Sequence, residues 1–286
     1  MSINEIPVRV VGPGSQPDSG QDLRYIDMPD DMTTFNAPAI PEPEAVEHLS
    51  GAREAMQWLG EALARYEPGG EPQRANQTGL DPESRELVNQ ILGEGEVSMV
   101  VAGDLSAWCQ ESVLAGVWRT LYFDEEERVV CDLLEVSATP HLLLAPPADG
   151  APIDTTAPES AEDVLNALPI LVELQAHLTA YDGSGKQHSI NLSLLPLSES
   201  EVEFLDTRLG RGPVDILSRG YGKCQVISTR TPNVWWVRYY NSMGTLILNS
   251  IEVVAVPEVV AAAGEDLRDS ATRLQEILAP YWQEQP

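Results

Sequence analysis

The chain has 286 residues, with 45 acidic side chains against 17 basic ones, a formal net charge of −28 and a pI near 4.2. That surplus of carboxylates argues against nonspecific attachment to nucleic acid or anionic lipid, where Lys and Arg must displace phosphate counterions, and it favours a basic partner. No apolar run reaches the about eighteen residues of a membrane span, MSINEIPVRVVGPG has no signal-type leader, and three scattered cysteines build no disulfide framework, so a soluble cytoplasmic protein with reduced thiols is expected.

Residues 1–48 are rich in proline and acid, and Pro7, Pro13, Pro17, Pro29, Pro38, Pro41 and Pro43 preclude long helices and central strands, which predicts an extended arm. Residues 51–66 carry Ala52, Ala55, Met56, Leu59, Ala62 and Leu63 at helical spacing. The following EPGGEPQRANQTG reads as loop. Asp81-Pro82 then opens a second helix as N-cap and first-turn proline, and Gly93 stops it. Residues 97–101, 111–123 and 129–136 have strand composition, with Asp124-Glu125-Glu126 as a turn.

A proline-bearing acidic linker over 145–163 places a boundary near residue 150. Residues 170–178 and 188–195, flanking Asp182-Gly183-Ser184-Gly185, read as a hairpin. Ser198 with Glu201 forms a capping box for a helix ending at Gly210. Strands are predicted at 214–217, 225–229, 234–240 and 245–254. A last helix over 258–279, stopped by Pro280, is expected to pack across the second sheet.

The chain is written twice. A gap-free shift of 117 positions lays Leu92-Gly93-x-Gly95-x-Val97 on Leu209-Gly210-x-Gly212-x-Val214, Val117-Trp118 on Val234-Trp235, Glu135-Val136 on Glu252-Val253, and Pro140 on Pro257. The fold class that follows is α+β: two tandem copies of an antiparallel-sheet-plus-helix unit, at 49–150 and 151–286, preceded by the arm at 1–48.

Chemistry-bearing motifs are sparse. Cys224 has no second cysteine within ten residues, and His48, His141, His177 and His188 show no His-x-x-x-His spacing, so no metal, iron-sulfur or other cofactor site is expected from the spacing. The run Ser218-Arg219-Gly220-Tyr221-Gly222-Lys223 is glycine-rich but lacks the phosphate-loop signature. No nucleophile-base set stands out, and the chain does not read as an enzyme. Between Arg208 and Arg238 there are six basic residues and one acid, Asp215.

The two copies differ here, since Arg211, Arg219, Lys223 and Trp236 replace Glu94, Ala102, Ser106 and Arg119. Positions shared by both copies read as scaffold, and residues peculiar to the second read as recognition. Arg211, Arg219, Tyr221, Lys223, Trp236 and Arg238 are therefore the candidate partner-binding residues, with Trp235 in the core and Trp236 on the outer face. Cys224, preceded by Arg219 and Lys223, is the candidate reactive thiol.

The block LGRGPVDILSRGYGKCQVISTRTPNVWWVRYYNSMGTLILNSIEVVAVPEVV closely resembles the C-terminal region of the HupH/HyaF/HoxQ family of hydrogenase expression/formation proteins, and LRYIDMPDDMTTFNAPAIPEPE resembles that family's N-terminal region. The resemblance implies an accessory role in maturing an uptake [NiFe] hydrogenase, as a cytoplasmic chaperone binding the immature iron-sulfur small subunit before twin-arginine export. The partners it implies are the hydrogenase small-subunit precursor and other hydrogenase accessory proteins. An alternative is a redox or iron-sulfur handling protein acting through Cys224.

Overall fold

The computed structural model describes residues 41–103, 105–144, 150–158, 164–183, 187–220 and 222–282. The proline-rich arm up to residue 40 lies outside the described residues, as does Tyr221. The first half runs α1 (Pro43–Val46), α2 (Ser50–Arg65), β1 (Gln73–Asn76), α3 (Pro82–Leu92), β2 (Val97–Val101), β3 (Ser106–Glu111), β4 (Val117–Phe123) and β5 (Val129–Val136). The second runs α4 (Ala167–Ala180), β6 (His188–Asn191), α5 (Glu199–Leu209), β7 (Arg211–Ser218), β8 (Lys223–Thr229), β9 (Val234–Tyr240) and β10 (Leu246–Val253), followed by α6 (Gly264–Leu278).

Local chemistry sets the helix ends. The Asp81 carboxylate accepts the Ser84 backbone N–H at 2.9 Å to start α3, and Ser198 and Glu201 form the full capping box of α5. Both helices stop at a glycine with positive φ, +54° at Gly93 and +61° at Gly210. Two residues on, a Cβ at Gly95 would lie 2.2 Å from the Ser112 carbonyl oxygen, and one at Gly212 would lie 2.4 Å from that of Thr229. The twice-written Gly-x-Gly is therefore a backbone requirement, met identically in each copy.

Among the described residues, all ten strands join one antiparallel sheet in the order β1-β5-β4-β3-β2-β7-β8-β9-β10-β6. The halves meet where β2 pairs with β7, and Met99 faces its own equivalent, Ile216. Around this pair the register is self-reciprocal: Val97 faces Ser218 and Val101 faces Val214. The flanking bonds obey the same exchange, with Ala102 N–H donating to Pro213 at 2.9 Å and Arg219 N–H donating to Glu96 at 3.0 Å. The contact is that of an isologous dimer, made within one chain.

Helices cover one face of the sheet in two separate areas. In the first half, Met56, Leu59, Ile91 and Leu92 bury Val117, Leu134 and Val136. In the second, Leu171, Leu174, Leu205 and Leu209 bury Ile227, Val234, Trp236, Ile251 and Val253. Each such apolar side chain contributes about 1.5–3 kcal/mol. The opposite face carries a core shared by both halves, including Met99, Cys109, Trp118, Ile216, Cys224, Val226 and Trp235. Trp118 and Trp235 anchor it alike, donating their indole N–H groups to the carbonyls of Ser137 and Val254 at 3.0 and 3.1 Å.

Four expectations are corrected. Residues 170–178 form the middle of α4, not a hairpin strand, because Ala167, Ile170, Leu171 and Leu174 lie on one helical stripe and all are buried. The strand expected over 111–123 is two strands turned at Gly116, and Gln73–Asn76, read as loop, is the edge strand β1 against β5. The last helix crosses to the first half, where Leu274 joins the α2 core and the Ser270 hydroxyl donates to the Ala115 carbonyl at 3.0 Å. The linker makes the reciprocal crossing, with Ile153 buried in the second-half core and Ala151 N–H donating to Arg230 at 3.0 Å. Each half is completed by the segment trailing the other.

Candidate functional site

On the helix-bearing face, the helices among the described residues leave one area uncovered in each half, and the internal twofold relates the two. The register places Trp108 opposite Leu121 and Ser106 opposite Phe123 in the first half, with Val100 beside Trp108. The equivalent positions in the second half hold Gln225 opposite Arg238 and Lys223 opposite Tyr240, with Leu217 beside Gln225. All of these except Gln225 are half-buried. The first area is aromatic and aliphatic. Arg238 and Lys223 replace Leu121 and Ser106 in the second, which is basic.

Arg238 is held by what lies beneath it. Its guanidinium sits 4.8 Å above the Trp236 ring. The indole N–H of Trp236 donates to the Asn249 side-chain oxygen, and Asn249 N–H donates to the Ser193 hydroxyl at 2.9 Å. In the first half the same two positions are Arg119 and Asp132, which form a bidentate pair at 2.9 and 2.7 Å. Beside Arg238, Gln225 donates to Asp215 at 3.2 Å, and Asp215 also takes the Arg211 guanidinium.

The predicted site residues are thus distributed unevenly. Lys223 and Arg238 share the uncovered face, and Arg219 lies at the tip of the same β7–β8 hairpin. Arg211 sits at the other end of β7, about 25 Å away at ~3.3 Å per residue. Trp236, expected on the outer face, is only 3 % exposed. It does point away from Trp235, as strand alternation requires, but α4 and α5 of its own half cover that face. Its role is to support Arg238 from below.

Cys224 reverses the expectation attached to it. It lies on the opposite face, in the shared core, 2 % exposed. Burial pushes its thiol up to about 12, and its neighbour across the strand pair, Tyr239, does not offset that. Cys109 is likewise pushed up to about 12 by burial. Neither environment favours thiolate.

Sequence spacing missed one constellation. Among the described residues, Glu173, His177 and His188 present ligand atoms within 4.8 Å of one another, at the β6 edge of the sheet. Helical i,i+4 spacing from Glu173 to His177 is visible in the sequence; the arrival of His188 beside them is not.

Comparison with known proteins bears on these features. The family described as HupH hydrogenase expression protein, C-terminal conserved region, matches twice, over residues 49–157 and 164–281. The chain is similar to hydrogenase expression/formation protein HoxQ of Cupriavidus necator, with 41 % identity over 96 % of each chain. It is similar to HupH of Rhodobacter capsulatus, with 41 % identity over 93 % of this chain and 94 % of the relative. The hydrogenase-1 operon protein HyaF of Escherichia coli is 32 % identical over 96 % of each chain. Among the described residues, no helix is long and apolar enough to cross a membrane.

Proposed function

From the premise that this chain belongs to the HupH family of hydrogenase expression/formation proteins, we propose that it is a non-enzymatic accessory protein that holds the immature iron-sulfur small subunit in the cytoplasm before twin-arginine export. The observation that carries the reading is the divergence of the two uncovered areas of the sheet. Scaffold positions agree between the copies down to individual hydrogen bonds, as at Trp118 and Trp235. The outward positions do not agree, with Leu121 and Ser106 in one area and Arg238 and Lys223 in the other.

A binding face of this kind needs an apolar anchor region and oriented charges around it. Trp108, Leu121 and Phe123 supply the first; Lys223, Arg238 and Arg219 supply the second. The net charge of −28 adds a long-range attraction for a precursor bearing a basic leader. The alternative, redox or iron-sulfur handling through Cys224, is disfavoured by the burial of that thiol.

The test is co-purification of the small-subunit precursor with the full chain and with Leu121→Asp and Lys223→Glu/Arg238→Glu variants. Both variants are expected to weaken capture while leaving the unfolding transition in place. Full capture by both would refute the assignment of this face.

A further inference from the structure

We propose that Glu173, His177 and His188 form a binding site for one late first-row divalent ion of the Zn2+ class, with three protein ligands and one open position. Glu173 and His177 lie four residues apart on α4, so both side chains leave the same helix face. His188, the first residue of edge strand β6, meets them there. The ligand atoms of all three fall within 4.8 Å of one another, and His188 Nε2 is 2.9 Å from Glu173 Oε1. Two imidazoles and a carboxylate are the donor set that suits Zn2+ and its neighbours rather than Mg2+ or Ca2+.

The two imidazoles already meet, as a stack rather than in a coordinating orientation. The His177 and His188 rings are stacked with centroids 3.4 Å apart and planes 8° from parallel. Two nitrogens on a tetrahedral ion with bonds of about 2.0–2.1 Å lie about 3.3 Å apart; the rings are close enough for this, but their in-plane lone pairs run nearly parallel, so binding requires one ring to turn about its side-chain torsions. The site is open to entry, because the Glu173 and His188 side chains are 50 % and 26 % exposed.

The internal repeat supplies a control. Strand register pairs Val136 with Gln73 and its equivalent Val253 with His188, and Tyr66 and Tyr181 accept the equivalent Ala138 and Ala255 N–H groups. The positions equivalent to Glu173, His177 and His188 in the first half are therefore Trp58, Ala62 and Gln73. Ala62 is 1 % exposed, and Trp58 packs against the same core that Leu274 of α6 joins. In the first half this helix face is thus packing surface beneath α6. In the second half Glu173 and His177 are exposed there, and the ligand set replaces the packing. The three residues are not required by the architecture the two halves share.

Equilibrium dialysis of the full chain against Zn2+, with metal analysis, is expected to give one bound equivalent that excess Mg2+ does not displace. His177→Ala and His188→Ala are each expected to weaken it by about tenfold or more, and Glu173→Gln to weaken it less. Independently of any variant, Zn2+ should protect His177 and His188, but not His48 or His141, from diethylpyrocarbonate, read by peptide mass spectrometry. No bound equivalent, one retained by the His177→Ala/His188→Ala double variant, or equal modification of all four histidines with and without Zn2+, would overturn the site.

Discussion

Trp236 donates its indole N–H to Asn249 at the two positions where, one repeat earlier, Arg119 pairs with Asp132. The same place in the fold is thus filled by a neutral hydrogen bond in one half and an ion pair in the other. Both solutions satisfy a buried acceptor, since Asn249 and Asp132 are each 2 % exposed. Only the indole offers a flat ring for Arg238 to lie on.

That exchange predicts unequal consequences. Arg119→Met should destabilise by about 3–5 kcal/mol, because it strands the Asp132 carboxylate with only Arg85, 3.9 Å away, to compensate. Arg119→Met/Asp132→Asn should recover much of that loss. Trp236→Phe, which keeps the ring and removes the N–H, should cost about 1–3 kcal/mol. Urea denaturation of the four chains gives the comparison.

The doubled glycine motif makes a prediction that only an internal repeat allows. Gly95→Ala and Gly212→Ala should be destabilising to a similar extent, by several kcal/mol, since each Cβ would collide with the equivalent carbonyl oxygen of the facing strand. Gly79→Ala, where a Cβ meets nothing within 4 Å, should be tolerated. Thermal unfolding midpoints separate the two outcomes.

Glu111 gives the fold a pH dependence. It is 7 % exposed and accepts the Gly116 N–H at 3.2 Å, but burial pushes its carboxyl up to about 7. A carboxyl whose folded pKa exceeds its unfolded value binds its proton more tightly when folded, so its contribution is present below about pH 4.5 and is lost as pH rises to about 7. Glu111→Gln should therefore gain stability relative to the parent between those limits, by an amount on the order of 3 kcal/mol at about 1.4 kcal/mol per pKa unit. Denaturation midpoints at pH 5 and pH 8 test the sign; an equal difference at both would contradict it.

Thiol accessibility should rank with burial. Cys131 is half-buried, whereas Cys109 and Cys224 lie in the shared core. Alkylation of the native chain should label Cys131 first and reach the other two only in denaturant, as mass spectrometry would show.

Much of this fold was legible in the residues themselves. The Asp81 cap, the Ser198–Glu201 box and the glycine stops are local devices, and they appear where they were read. The repeat anticipated shared roles for Trp118 and Trp235. The misreadings arose where distant segments decide the outcome. Ile170-Leu171-Val172 with a glycine-rich turn after it looks like strand until its helical stripe is counted. Trp236 could be assigned a face from alternation, but not the knowledge that α4 and α5 cover it. The Glu173, His177 and His188 cluster depends on β6 returning to α4, which no spacing rule encodes. The crossing of α6 onto the first half is likewise a tertiary fact.

The most direct test of the account is capture of the small-subunit precursor by the intact chain and by Lys223→Glu/Arg238→Glu, compared at matched expression. The intact chain is expected to retain the precursor, and the variant, still folded, to retain about a tenth as much or less, as reversal of two charges at an interface warrants. Equal retention by the folded variant would contradict it.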